Sequence, residues 1–410
     1  MDFTVDERTR DYAARASAFL TTAVLPAEPV FAAQTAGRVG ADPADPALWT
    51  RPPIVHELAA EARARGLWNL FLPAPHGPLT VGQYAPIAEL SGRSPHLAPA
   101  AMNCSAPDTG NMELLQLAAD DRQRERWLTP LLEGTLRSAF CMTEPAVASS
   151  DALNMRTTIR PDGASVVLDG TKWWSTGALA PECGLLIVLG VSDPQAAPRE
   201  RMTMVCVPRD TPGVRIERAL SVFGYHEHAA GGHAVIHFEG VRVPRAAVLG
   251  ELGAGAQLAQ ARLGPGRVHH CMRAIGMAQR AVEQMAERAW QRETFGELLA
   301  DQGVVQQWCG QSQVELDAAR LLVQHAAWLM DSAGNRAAHR AIQQIKVLVP
   351  GTVQTILDRA IQLFGAAGVD DALPWASMFT AVRTLRIADG PDEVHLRSLG
   401  RAVLRSARPD

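Results

Sequence analysis

Apolar positions change their period twice along the chain. Up to about residue 135 strong helix formers dominate, as in Leu58-Ala-Ala-Glu-Ala-Arg-Ala-Arg and Asn111-Met-Glu-Leu-Leu-Gln-Leu-Ala-Ala, with no internal proline. Proline and glycine cluster at 72–78 and 92–99, which marks loops. Near Phe140 short β-rich runs take over. Thr157-Thr-Ile-Arg, a Pro-Asp-Gly turn and Ser165-Val-Val-Leu-Asp-Gly-Thr-Lys-Trp-Trp read as strand, turn, strand. Leu185-Leu-Ile-Val-Leu, Thr203-Met-Val-Cys-Val and Ala234-Val-Ile-His-Phe are further strands, and Arg242-Val-Pro-Arg closes the segment. Roughly 100 residues of strands between turns predict a small barrel or sandwich. Helical spacing returns after about residue 255. Trp308, Leu316, Ala319, Val323, Ala326 and Met330 fall on one face of a long helix. Ile342, Ile345, Val349, Ile356, Ala360 and Leu363 form a second stripe, which Pro350 should kink. The order is helices, strands, then a long helical bundle, with boundaries predicted at 1–137, 138–243 and 244–410.

Composition narrows the class. With 410 residues, 47% hydrophobic and 20% charged, the chain is long enough for several well-packed domains. A net charge of -4 gives no broad attraction to nucleic acid. Basic residues are almost all arginine; the two lysines are Lys172 and Lys346, a bias that genome composition accounts for. Cysteines at 104, 141, 183, 206, 271 and 309 form no CxxC, so free thiols in a reducing compartment are expected. The N-terminus is charged and amphipathic without a signal-peptide core, and no run of about 18 apolar residues is present. The expectation is a cytoplasmic protein with no membrane span.

Five segments carry candidate chemistry. Cys141-Met-Thr-Glu-Pro-Ala-Val-Ala-Ser-Ser-Asp151 offers hydroxyls beside backbone N–H groups in an irregular turn, suited to a planar ring edge or a phosphate. In Gly170-Thr-Lys-Trp-Trp-Ser-Thr-Gly177 adjacent tryptophans on a strand face opposite sides, so one is available to wall an aromatic cofactor. Arg292-Glu-Thr-Phe-Gly296, at a helix end, pairs a phosphate-binding guanidinium with an aromatic. Gln362-Leu-Phe-Gly-Ala-Ala-Gly368 lets backbone approach a ligand. In Ile387-Ala-Asp-Gly-Pro-Asp-Glu-Val-His395 a carboxylate among apolar groups can take a proton from carbon. Taken singly, each has a plainer reading: a capped loop, a tryptophan pair flanking a sheet, a solvated turn, a helix C-cap at Gly365, a turn aspartate. His226, His228, His233 and His237 lie on loop and strand without a supporting cysteine cluster, which favours ordinary histidines over a metal site.

Together, in this order and spacing, the segments resemble the acyl-CoA dehydrogenase family over essentially the whole chain. Val-Ala-Ser-Ser-Asp, Leu-Gly-Pro-Gly-Arg-Val-His-His-Cys and Arg-Ile-Ala-Asp-Gly-Pro-Asp-Glu-Val-His resemble its 10/11-like branch. The resemblance implies an α+β fold with an N-terminal helical domain, a central small β-barrel domain and a C-terminal four-helix bundle, and FAD as cofactor. Met142 and Thr143 match the loop beside the flavin ring; Trp174, Ser175 and Thr176 match the strand facing it. Arg292, Thr294 and Phe295 match contacts to the partner subunit's FAD; where many relatives add a glutamine, this chain has Gly303 with Gln302 beside it, and Gln362, Gly365 and Ala366 match the adenine side. Ser149, Ser150, Arg267 and Gly390 match the thioester channel. Where many relatives have a glutamate followed by Gly-Thr, this chain has Asp389 followed by Gly-Pro.

The implied reaction is α,β-dehydrogenation of an acyl-CoA. Asp389 takes the α-proton with Arg267 nearby, and hydride passes from the β-carbon to flavin N5. An electron-transferring flavoprotein is the implied acceptor, and a homodimer or homotetramer the implied assembly. His269 and His270 are expected to start a helix. The shortened base leaves open a flavin oxidase or monooxygenase acting on a nitroalkane or other carbon acid, or a carrier-protein thioester.

Overall fold

The computed structural model describes residues 4–38, 42, 45–73 and 76–408. Ala74 and Pro75, within the predicted 72–78 loop, lie outside them. The chain forms two compact units: Pro26–Leu72 with Ala100–Gly266, and Met1–Leu25 with Pro73–Pro99 and Arg267–Asp410. The first 137 residues are therefore shared between both.

The first unit carries seven strands: β1 (Arg137–Cys141), β2 (Thr158–Asp162), β3 (Ser165–Thr176), β4 (Cys183–Val191), β5 (Met202–Pro208), β6 (Val214–Leu220) and β7 (His233–Pro244). They form one sheet in the order β1-β4-β2-β3-β7-β6, with β5 pairing β4. Ile159, Val166, Leu168, Leu186, Val188, Val205, Val207, Ile236 and Phe238 form its core. The β2–β3 hairpin pairs Asp162 with Ser165. The turn is therefore Gly163-Ala164, with Gly163 at φ +60°, and Pro161-Asp162 belong to the strand. β6 was not legible in the sequence, because Arg215, Glu217 and Arg218 break its apolar run.

In the second unit both predicted stripes are helical. Leu316, Ala319, Val323 and Ala326 are buried, as are Ile342, Ile345, Val349, Ile356, Ala360 and Leu363. Trp308 and Met330 are half-buried. The helix Gly303–Phe364 breaks at Gly334 (φ +79°), whereas Pro350 is carried inside it. A proline removes one ladder hydrogen bond and can be accommodated; a left-handed glycine ends the helical path outright. The helices Val81–Gly92 and Gly255–Gln291 cross where a Cβ on Gly92 would stand 1.9 Å from the Arg273 carbonyl oxygen, and one on Gly276 1.8 Å from that of Glu89.

One helical stretch departs from the expectation of no membrane-length segment. Glu7–Thr35 reaches a mean hydropathy of 1.3 over 18 residues, with 28% of that window buried, so by length and composition alone it could cross a membrane. Alanines, valines and leucines interspersed with polar residues raise the average without making an unbroken run, which is why the sequence did not show it.

Candidate active site

In the sheet unit the loop after β1 is built around a buried ion pair. Lys172 Nζ lies 2.8 Å from Glu144 Oε1, with side chains 0% and 3% exposed. Lys172 also donates to the Met142 carbonyl, and Glu144 accepts the backbone N–H groups of Arg156 and Thr157. Burial alone would raise the Glu144 carboxyl, but Lys172 and Thr157 outweigh it and hold it below the usual range. This pair fixes both ends of the segment that presents Met142 and Thr143, which are half-buried. Ser149 Oγ accepts the Glu144 N–H at 2.9 Å and so closes the loop, while Ser150 is exposed.

β3 does not alternate regularly across the tryptophans. A register shift against β7 falls between Lys172 and Ser175, and Trp174 sits at φ +53°. The bulge turns Trp174 outward, 39% exposed, with Trp173 edge-on at 6.3 Å. A left-handed tryptophan costs about 1–2 kcal/mol, which marks the position as held by its surroundings. Thr176 Oγ1 lies 2.9 Å from His233 Nδ1, and Ser175 is buried. His226 and His228 stand beside Trp49, and His237 bonds Thr171. Among the described residues no group of three or more His, Cys, Asp or Glu is placed to hold a metal ion.

In the helical unit Asp389 occupies the turn between the helices Trp375–Leu385 and Asp392–Ser406, again left-handed at φ +58°. Three side chains fasten this turn. Lys346 Nζ donates to the carbonyls of Leu385 and Ala388, the latter at 2.8 Å. Arg267 Nε donates to the Asp389 carbonyl at 2.9 Å, and Arg386 pairs with Asp392 at 2.7 Å. The Asp389 carboxylate, 24% exposed, has His270 Nε2 3.8 Å from its Oδ2. Burial lowers the Arg267 and Lys346 pKa values, with Asp389 acting against it in both. His395 packs on Gly390, where a Cβ would meet its Nε2 at 2.9 Å. Burial, then Arg267 and Lys346, push its imidazole down to about 4. His269 and His270 lie well inside a helix that starts at Gly255 and runs through Pro265, rather than at its start. Buried His269 meets the Tyr84 ring at 5.2 Å.

The remaining predicted contacts are surface features of the same unit. Glu293–Thr294 and Glu297–Leu298 form a hairpin whose two-residue turn is Phe295-Gly296, both at positive φ. Phe295 is 100% exposed at its tip, and Arg292 is exposed beside it. Gln302 caps the next helix, and its side chain donates to Glu297. Gly365 is the C-cap of the helix ending at Phe364, with Gln362 and Ala366 exposed. Sequence reasoning assigned no role to Lys346, His395, Glu144 or Lys172. The rarity of lysine was the available signal for two of them.

Family models of the acyl-CoA dehydrogenase middle and C-terminal domains match residues 139–241 and 253–404. The chain is 52% identical over 404 residues to a protein described as a probable acyl-CoA dehydrogenase, FadE2, of Mycobacterium tuberculosis, covering 98% of this chain and 97% of that one. It is 51% identical to acyl-CoA dehydrogenase family member 11 of Gallus gallus, over 86% of this chain but 45% of that protein, so it spans about half the length of that relative. The solved structure of a candidate acyl-CoA dehydrogenase from Mycobacterium abscessus superposes with a TM-score of 0.95 at 44% identity, covering 99% of this chain and 100% of that one. By fold, by domain models and by full-length identity, the chain belongs to the acyl-CoA dehydrogenase family of FAD-dependent oxidoreductases, with the resemblance to its 10/11-like branch borne out.

Proposed function

We propose that this enzyme oxidises an acyl-CoA thioester between its α and β carbons, with Asp389 as the proton acceptor. The observation that carries the reading is the fastening of Asp389. A half-buried carboxylate stands on a left-handed residue whose own carbonyl is held by Arg267 and whose preceding carbonyl is held by Lys346. A general base must sit at one place relative to the proton it takes, and this turn has little freedom to move it. Two buried cations beside the turn also favour negative charge developing near it.

The sheet unit fits a flavin ring in its chemistry. Trp174 offers an exposed indole held out of strand register, Thr176 a hydroxyl, and Trp173 Nε1 is buried with no hydrogen-bond partner among the described residues. Met142, Thr143, Trp174, Ser175 and Thr176 would hold the ring. Arg292, Thr294, Phe295, Gln302, Gln362, Gly365 and Ala366 would serve the rest of an FAD shared between subunits of a homodimer or homotetramer. Bound FAD would supply the hydride acceptor. Asp389 would hold the α-proton, its backbone N–H and Gly390 would face the thioester carbonyl, and Arg267 would keep the base in place. An electron-transferring flavoprotein as acceptor and a cytoplasmic location belong to the same proposal; six free cysteines support a reducing compartment.

Anaerobic titration of the FAD-loaded protein with an acyl-CoA series tests this. Bleaching of the flavin without oxygen is expected, and Asp389→Asn should keep FAD but lose bleaching. Bleaching by nitroalkanes and by no acyl-CoA would replace this reading with an oxidase.

A further inference from the structure

Two cross-strand pairs on the β3–β7 ladder repeat one hydrogen-bond chain. Thr176 faces His233, and Thr171 faces His237. In the first, Thr176 Oγ1 is 2.9 Å from His233 Nδ1, and His233 Nε2 is 3.1 Å from Glu227 Oε2. In the second, Thr171 Oγ1 is 3.1 Å from His237 Nδ1, and His237 Nε2 reaches Glu217. The chains differ in setting. His233 is buried, and its ring lies 5.4 Å from that of the left-handed Trp174. The second chain ends on the more exposed Glu217.

The direction of the first chain follows from its end. An ionised carboxylate only accepts, so His233 Nε2–H donates to Glu227 and keeps its proton. A neutral imidazole then has Nδ1 as acceptor, and Thr176 must donate to it. The Thr176 hydroxyl proton is thereby committed away from any ligand, and its oxygen presents only lone pairs. Resting on the reading that Thr176 faces the flavin, we infer that Glu227 and His233 are positioning residues that make Thr176 a hydrogen-bond acceptor toward the flavin. An acceptor there favours the reduced cofactor, which carries an N–H where the oxidised one carries a bare nitrogen.

The test is the midpoint potential of the bound flavin in the FAD-loaded protein. Glu227→Gln keeps the imidazole packed on Trp174 but releases its tautomer; it should lower the potential. His233→Leu should lower it further, by about tenfold in the oxidised-to-reduced ratio, or about 30 mV for a two-electron couple. His237→Leu, which breaks the matching chain on the same ladder, should leave the potential unchanged. An unchanged potential in Glu227→Gln, or an equal shift in His237→Leu, overturns the inference while leaving the enzyme reading intact. Should His233→Leu fail to fold, Glu227→Gln decides alone. A chain that takes up no FAD overturns both.

Discussion

Arg267 Nε donates to the main-chain carbonyl of Asp389 at 2.9 Å. The guanidinium thus grips the backbone on which the proposed base stands. Lysine carries no N–H at the Nε position and has no rigid planar group to hold a donor there. Arg267→Lys should keep FAD and lower the rate of anaerobic flavin reduction about 10- to 100-fold, as expected for a displaced base. A change in FAD affinity with an unchanged reduction rate would place Arg267 elsewhere in the cycle.

Lys346 is a stability residue as much as a site residue. Its ammonium satisfies the carbonyls of Leu385 and Ala388 from within the protein. Lys346→Met fills the space but removes the donor to both carbonyls. The expected cost is about 1–3 kcal/mol in chemical denaturation, the penalty of one unsatisfied group at Leu385, since Ala388 is exposed.

Glu144→Gln leaves Lys172 buried beside a neutral amide. Removing one partner of a buried pair costs about 3–5 kcal/mol. Because the folded carboxyl lies below its usual range, its contribution is full above that range and is lost as pH falls through the folded value. The wild type should therefore lose this stabilisation in acid, and Glu144→Gln should show a shallower acid limb.

His395 and His269 act with the same sign from another cause. Burial first, then neighbouring cations, push them down to about 4 and about 3. Between those values and about 6.5 the unfolded chain binds protons that the folded chain does not, so stability rises with pH there. Each histidine contributes a slope of about 1.4 kcal/mol per pH unit. Denaturation midpoints at pH 7 and pH 5 should converge in a His395→Asn variant relative to wild type.

Phe295 places an aromatic where a two-residue hairpin turn prefers Asn-Gly. Its side chain is fully exposed, so little packing is lost on replacement. Phe295→Asn should stabilise the isolated chain by about 1 kcal/mol, the relief of a left-handed residue. It should also weaken FAD retention, measured by dialysis, if this tip reaches a partner's cofactor.

The alternation of helix and strand periods carried the architecture, since helical stripes such as Ile342 to Leu363 depend only on local spacing. The candidate site was legible as motifs rather than as geometry. Trp174, Phe295 and Asp389 all have positive φ; for the two aromatics no propensity predicts it and the surroundings must impose it, whereas an aspartate before Gly-Pro tolerates that state. The break at Gly334 and the tolerance of Pro350 escaped for a similar reason. A helix is judged by the packing of both its halves, and that information is not local. His233 and Glu227 are six residues apart in sequence, but the bond to Thr176 depends on the β3–β7 register, which the bulge at Trp174 resets.

The two lysines of this chain are both withdrawn from solvent, Lys172 at 0% and Lys346 at 2% exposure. Thioesters acylate free amines without any catalyst. In a family that handles acyl-CoA, burial of both ε-amines in the native state shields these two lysines from uncatalysed acylation by the thioester of the proposed reaction. The same seclusion makes amine-reactive labelling a gauge of unfolding, because each lysine that reacts must first have left its buried site.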